Sequence, residues 1–350
     1  MHRVERHLRL QARACERLGS PLYAALLDGA ADDVARGGVA ADLLEPHRDD
    51  TAGSALGLRL AGSLHRLVLQ RRAPELALQY PSVGGTAPPD GVWPVAARTC
   101  RTHLDGLREL VRRPVQTNEV GRSAVLVGVL AHAAGATGLP VRLLEVGASA
   151  GLNLRCDAFA YEVDDDVLGD AASPVRLAQP WVPGPRPPHE PVRVLERSGC
   201  DPTPIDPTSP DGRLTLTSYV WADQRQRLER LRGALEVAAR LPATVVALGA
   251  ASWLRDELPA PAPGVVTVVW HSVVWQYLSP DERAEADAVL QDAAARSRPD
   301  APLVNAFLEP ERDQGDHAFR VRARLGEGKP VHLADAHPHG PPVCWTGARL

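Results

Sequence analysis

The residues best suited to chemistry are Leu143-Leu144-Glu145-Val146-Gly147-Ala148-Ser149-Ala150-Gly151-Leu152-Asn153-Leu154. Taken as Glu-x-Gly-x-x-x-Gly, they form a carboxylate followed by a turn of small residues. Gly147 and Gly151 then give the backbone the freedom and clearance to approach a bound cofactor. Taken as Gly-x-Ser-x-Gly, the same residues form a nucleophile elbow with Ser149 at its apex. Both patterns require strand, turn and helix in that order, so the rest of the chain has to separate them.

The first pattern is that of the cofactor loop in Rossmann-like S-adenosylmethionine (SAM) methyltransferases, and it accounts for more positions. Glu145 would help fix the methionine end of SAM, and Asn153 would complete the loop's contacts. Ser149 stands where the middle glycine usually sits. A second strand should end in a carboxylate for the ribose hydroxyls; Val192–Leu195, then Ser198-Gly199-Cys200, puts Asp201 there, with Asp206 as substitute. A third strand should precede an Asp beside the adenine amino group, but the residues are Leu248-Gly249-Ala250-Ala251. The hydrolase reading has the order Ser149, a later Asp, then His332, His337 or His339 in its favour. Against it, the elbow would lie on the first strand, with no His-Gly-Gly oxyanion motif before it.

Three other clusters carry polar chemistry. Gln116-Thr117-Asn118-Glu119, then Arg122, precedes an apolar helix. Thr117 or Asn118 would cap it with Glu119 in the first turn, or Asn118, Glu119 and Arg122 would face cofactor and substrate. Trp221 opens Trp221-Ala222-Asp223-Gln224 and would wall a substrate pocket, with Asp223 as N-cap. His271 follows an apolar strand, where groups line the ligand crevice of a parallel sheet. An imidazole there suits a general base; Tyr277 is a weaker choice. His332, Asp335, His337 and His339 have chelating spacing, but the prolines around them suggest a loose turn and no functional metal is expected.

The elements that must hold these residues fall into two parts. Residues 1 to about 138 read as helical: Val4, Leu8, Leu18, Leu22 and Leu26, then Leu56, Leu60, Leu64 and Leu67, recur at three- and four-residue spacings. Beyond that, Val141–Val146, Val192–Leu195, Thr244–Leu248, Val265–Trp270 and Leu303–Leu308 read as strands. Helices are expected at Gly151–Phe159, Asp223–Arg240 and Pro280–Arg296. Such alternation implies a parallel sheet with right-handed crossovers. Ala318–Leu325 and Pro330–Ala334 form a terminal hairpin, and Pro180 to Pro191, with six prolines, forms a surface loop. The expected fold is therefore an all-helical N-terminal region, 1–138, before a Rossmann-like α/β domain, 139–350. Its sheet would be of the methyltransferase type, parallel strands with a C-terminal antiparallel hairpin.

Composition narrows the class. Apolar content of 44% and charged content of 23% suit a globular chain of 350 residues. A formal net charge of -4 leaves no electrostatic footprint for nucleic acid. The five cysteines are scattered, with no Cys-x-x-Cys pair. No segment reaches the roughly 20 apolar residues of a membrane span, and no signal-peptide pattern opens the chain. A cytoplasmic protein acting on a small molecule, without nucleic acid or membrane as partner, is the expectation.

Several stretches resemble an uncharacterised bacterial family, domain of unknown function 2332. They are Gln116–Arg122, the loop with its continuation Asn153-Leu154-Arg155-Cys156-Asp157-Ala158-Phe159-Ala160-Tyr161, Val220–Gln224 and Trp270-His271-Ser272-Val273-Val274. The resemblance runs from Leu22 to about Glu309 and implies a core similar to Rossmann-like methyltransferases. It also implies Pro where Ala222 stands and Asp where Ala250 stands. The leading expectation is SAM-dependent methyl transfer to a small molecule. Glu145, Gly147, Ser149, Gly151, Asn153 and Asp201 would bind the cofactor, Asn118, Arg122 and Trp221 the substrate, with His271 and Glu119 catalytic. A Ser149 hydrolase and a non-catalytic binding protein of the same fold are the alternatives.

Overall fold

The computed structural model describes residues 1–188, 191–313 and 316–350. Of the expected Pro180 to Pro191 loop, 189 and 190 lie outside the described residues. Helices α1 (His2–Arg17), α2 (Pro21–Ala35), α3 (Val39–Leu44), α4 (Leu56–Leu69), α5 (Pro74–Ala77), α6 (Val92–Thr102) and α7 (Leu104–Arg112) come first. Helix α8 (Ser123–Thr137) leads into β1 (Val141–Val146), β2 (Ala160–Val163), β3 (Asp166–Gly169), β4 (Arg176–Ala178) and β5 (Val194–Cys200). Then come α9 (Pro210–Ser218), α10 (Arg225–Arg240), β6 (Thr244–Val246), α11 (Ala250–Glu257), β7 (Val266–Ser272) and α12 (Pro280–Ala295). Strands β8 (Leu303–Asp313), β9 (Asp316–Leu325), β10 (Val331–His337) and β11 (Gly340–Trp345) end the chain.

Two units emerge, Met1–Thr117 with Ser209–Glu229, and Asn118–Thr208 with Arg230–Leu350. The change in composition near 138 is thus not where the contacts divide. Helix α8 packs on β1, β7, β8 and β11, so it belongs with the sheet although its sequence is helical. Conversely, α9 packs on α4, and Trp221 and Ala222 join the core of the first unit. That core is the leucine stripe read from the sequence, with Leu8, Leu26, Leu27, Leu60 and Leu64 fully buried. Ser20 caps α2. The Asp223 carboxylate accepts from Ser20 Oγ (2.7 Å) and Leu22 N (3.0 Å) at that same positive helix end.

The second unit is a mixed α/β structure on an eight-stranded sheet in the order β11-β10-β9-β8-β7-β1-β5-β6. Strands β6, β5, β1, β7 and β8 run parallel, and β9 to β11 are antiparallel. The expected terminal hairpin is present, with β11 as a further strand. Pro341 and Pro342 spoke against a strand there, but β11 is the sheet edge, where missing N–H donors are tolerated. The helix expected over Gly151–Phe159 is a 3₁₀ segment, Asn153–Ala158, followed by the small sheet β3-β2-β4. Arg155 breaks the helical geometry at φ -107; its guanidinium donates to the carbonyls of Gly151 and Leu241, both at 2.6 Å.

The stretch Val120–Thr137 is long and apolar enough by composition to cross a membrane, with mean hydropathy 1.3. However, 78% of it is buried inside the protein, which is what a core helix requires. Its small residues set the packing distance, since a Cβ on Gly128 would run into the Trp345 ring. Gly128→Leu is therefore expected to cost about 2 kcal/mol or more through overpacking, read as a lowered denaturant midpoint.

Candidate functional site

Strand order reverses about β1, which has β5 on one side and β7 on the other. In open parallel sheets, ligand crevices form beyond the carboxyl ends of strands at such a switch. The Glu145–Asn153 loop leaves β1 at this point. Gly147, Ser149 and Gly151 all adopt left-handed backbone, at φ 71, 54 and 65. Ser149 therefore takes a backbone conformation that favours glycine. Close packing explains the other two: a Cβ on Gly147 would meet Val274, and one on Gly151 would lie 2.8 Å from Val245.

The loop is clasped from three directions. Asp201, just past β5, accepts from Ser149 N (3.1 Å) and Thr203 N (2.9 Å), and Ile205 N donates to the Ser149 carbonyl (3.1 Å). Asn118 Oδ1 accepts from Leu152 N (2.8 Å), and Asn153 Nδ2 donates to the Glu119 carbonyl (3.1 Å). Glu119 is itself the cap of a 3₁₀ turn, accepting from Gly121 N at 3.0 Å. The cap is therefore Glu119 and not Thr117 or Asn118, whose side chain is instead spent on the loop at Leu152 N. Arg122 donates to the carbonyls of Ser272 (3.0 Å) and Pro338 (2.9 Å), joining the end of β7 to the β10–β11 turn.

Glu145 and the Asn153 Oδ1 atom are left out of this network. The Glu145 residue is 2% exposed, among the described residues its side chain makes no hydrogen bond, and its Oε2 is fully buried. Burial raises its carboxyl to about 8, against Coulombic lowering by Arg122 and Arg155, with Asp201 raising it further. Asn153 Oδ1 is likewise buried without a partner. Buried acceptors left open are rare, and these two flank the same loop. Both suit a donor-bearing, cationic ligand group.

At the end of β7, His271 is buried and stacked on Trp275 with ring centroids 4.0 Å apart. Its Nδ1 lies 2.8 Å from Glu309 Oε1, which also accepts from Val274 N (3.0 Å) and Trp275 N (3.2 Å). A carboxylate only accepts, so in the neutral ring Nδ1 carries the hydrogen and Nε2 the lone pair. These bonds hold a turn in which Val273, a β-branched residue, sits at φ 54, a strained placement. Glu309 escaped the sequence reading because β8 extends past the apolar run that marked it. The pleat separates two residues expected together: Glu145 registers with Trp270 and Val146 with His271, so Glu145 and His271 leave opposite faces of the sheet.

The turn after β6 has no carboxylate of its own, as the sequence showed at Ala250. One arrives from α12, where Glu282 Oε1 accepts from Ala250 N at 2.8 Å. Trp221 lies in the first unit, 5% exposed and stacked on Tyr23. His332 Nε2 hydrogen-bonds Asp335 at 3.0 Å. Among the described residues, no group of three or more His, Cys, Asp and Glu side chains has the arrangement of a metal site.

Residues 5–345 match the family described as an uncharacterized protein conserved in bacteria (DUF2332), and the chain belongs to it. No curated protein matches the chain.

Two outcomes follow. Glu309→Ala leaves three donors unpaired, His271 buried and Val274 N and Trp275 N half-buried, and the Val273 turn unheld, so unfolding free energy should fall by about 2–4 kcal/mol; an unchanged denaturant midpoint would contradict that anchoring role. For Glu145, the folded value lies above the ordinary 4.5, near 8. The folded state then keeps a proton that the unfolded chain releases, so wild-type stability falls as pH rises between about 4.5 and 8. Glu145→Gln removes this term, and paired denaturation curves should show the variant gaining on wild type across that window.

Proposed function

We propose that the second unit binds SAM at the β1 loop and serves methyl transfer to a small molecule. The observation that carries this reading is the buried Glu145 carboxyl group, without a hydrogen bond among the described residues, beside a loop with three left-handed residues. An α-ammonium group would supply the donors that Glu145 and Asn153 lack. The parallel strands add support, since their third, second, first, fourth and fifth members lie side by side as in doubly wound nucleotide-binding sheets. Asp201 retains acceptor capacity beyond its two main-chain bonds and lies at the end of β5, where ribose hydroxyls would be held. Glu282 brings a carboxylate to the turn where the adenine-side Asp is missing.

When bound, SAM supplies an electrophilic methyl group; the protein's part is orientation and exclusion of water. Glu145 and Asn153 hold the amino end, and the left-handed turn admits the cofactor backbone. Arg122 keeps the β7 end fixed beside the loop. His271 takes the acceptor's proton at Nε2, the nitrogen that Glu309 leaves open, so the acceptor has to reach around the carboxyl edge of the sheet to the face opposite Glu145, and Asn118 and Glu119 shape the loop. The Ser149 hydrolase reading is less supported, because the histidines its triad would draw on, His332, His337 and His339, belong to β10 and the β10–β11 turn, four strands from β1 in the sheet.

Calorimetric titration with S-adenosylhomocysteine tests the reading. We expect micromolar binding to the wild type, accompanied near neutral pH by proton release as Glu145 ionises against the ammonium. That release should appear as a dependence of heat on buffer ionisation enthalpy. Gly151→Trp should abolish binding, and the isosteric Glu145→Gln should weaken it about tenfold or more and remove the proton release. Absence of binding to folded wild type discards SAM.

A further inference from the structure

A cavity in the first unit carries an inference independent of the methyltransferase reading. This cavity, of about 490 Å³, opens between the end of α4, the α6–α7 corner and α7. Its lining includes Arg66, Arg72, Arg101 and Arg113, with Asp105 and Glu109 the acidic residues. The partners of these charges decide its character. Asp105 pairs with Arg108 (3.3 Å) and Glu109 with Arg112 (2.7 Å), arginines that do not line the cavity. Arg66, buried, is held by Asp211 and donates to Thr215 Oγ1 at 2.8 Å. Arg72, Arg101 and Arg113 meet no carboxylate among the described residues.

Three uncompensated guanidiniums around one concavity repel each other, and an anion would relieve that repulsion. The walls are fixed without them. His103 Nε2 bonds the Arg72 carbonyl at 3.1 Å, tying the α6–α7 corner to the end of α4. Arg71 adopts φ 59, and the Arg72 N–H returns to the Leu67 carbonyl at 2.9 Å. Each planar guanidinium presents a fork of donors matched to phosphate oxygens. The volume falls in the range of small-molecule sites, and more than one phosphate is needed to meet three forks.

We infer that this cavity binds a small molecule carrying two or more linked phosphate groups. A long polyanion fits less well, because the exposed Asp105 and Glu109 carboxylates stand in the lining and the chain as a whole is acidic, with formal net charge -4.

The test is calorimetry of the full chain at low salt with inorganic tripolyphosphate, pyrophosphate and orthophosphate, beside a single-stranded oligonucleotide. Tripolyphosphate should bind at micromolar Kd and more than about tenfold tighter than orthophosphate, with affinity falling as salt rises. The triple variant Arg72→Gln, Arg101→Gln, Arg113→Gln removes exposed side chains only, and should lose about a hundredfold in affinity while keeping its circular dichroism and melting temperature. No heat with wild type overturns the proposal, as does equal binding by the triple variant. An oligonucleotide that binds more tightly than tripolyphosphate overturns the small-molecule assignment.

Discussion

Three left-handed residues at alternate positions of one turn can persist only if groups outside the turn hold them. Much of the second unit meets that requirement. Glycine adopts such backbone freely, but Ser149 pays roughly 1–2 kcal/mol for it. Hydrogen bonds that Asp201 and Asn118 accept from the turn, and that Ile205 and Arg155 donate to it, offset this, each worth about 1 kcal/mol. Those partners come from the run-up to α8, the residues after β5 and the 3₁₀ segment. Holding the turn therefore also fixes the carboxyl ends of β1 and β5 relative to one another.

Two buried glutamates at the sheet's carboxyl edge show how differently the protein treats similar side chains. Glu309 Oε1 receives three donors, and through them it anchors a strained turn and orients an imidazole. Glu145 receives none. Arg122 and Arg155 act on it only through space, because their guanidiniums are committed to main-chain carbonyls. A carboxyl in that state costs stability and contributes nothing to the fold in return. Glu309 has one oxygen engaged and its Oε2 buried without a partner, whereas neither oxygen of Glu145 is engaged among the described residues, and that difference underlies the proposal of a ligand at β1.

The strand pattern of the second unit was legible because buried parallel strands are short, continuous apolar runs, and five such runs stand out between helical segments. The loop was legible because Gly147 and Gly151 are required by packing against Val274 and Val245. Longer-range features were hidden. Glu309 and Glu282 reach the site from β8 and α12, each more than a hundred residues beyond the loop, and no local spacing announces them. The pleat hid the separation of Glu145 and His271, since strand-end position says nothing about face until register is known. Trp221 reads as a pocket wall in sequence, yet an apolar residue beside a helix cap serves a core equally well, and here it stacks on Tyr23.

Ala250 shows why a missing motif residue weighs less than it first appears. Ser279-Pro280-Asp281-Glu282 has the form of a capping box, in which the glutamate would turn back to its own helix end. Ser279 does cap α12, accepting from Glu282 N at 3.1 Å. The Glu282 side chain instead crosses to Ala250 N at the start of α11, and a Cβ on Gly249 would meet that carboxylate. A negative charge therefore stands after β6 without an aspartate in the β6 turn. It belongs to the helix that follows the Val273 turn, so any ligand drawing on Glu282 would also load the turn that Glu309 anchors. The β6 and β7 ends are thereby coupled through α12, a link that an aspartate at position 250 would not have made.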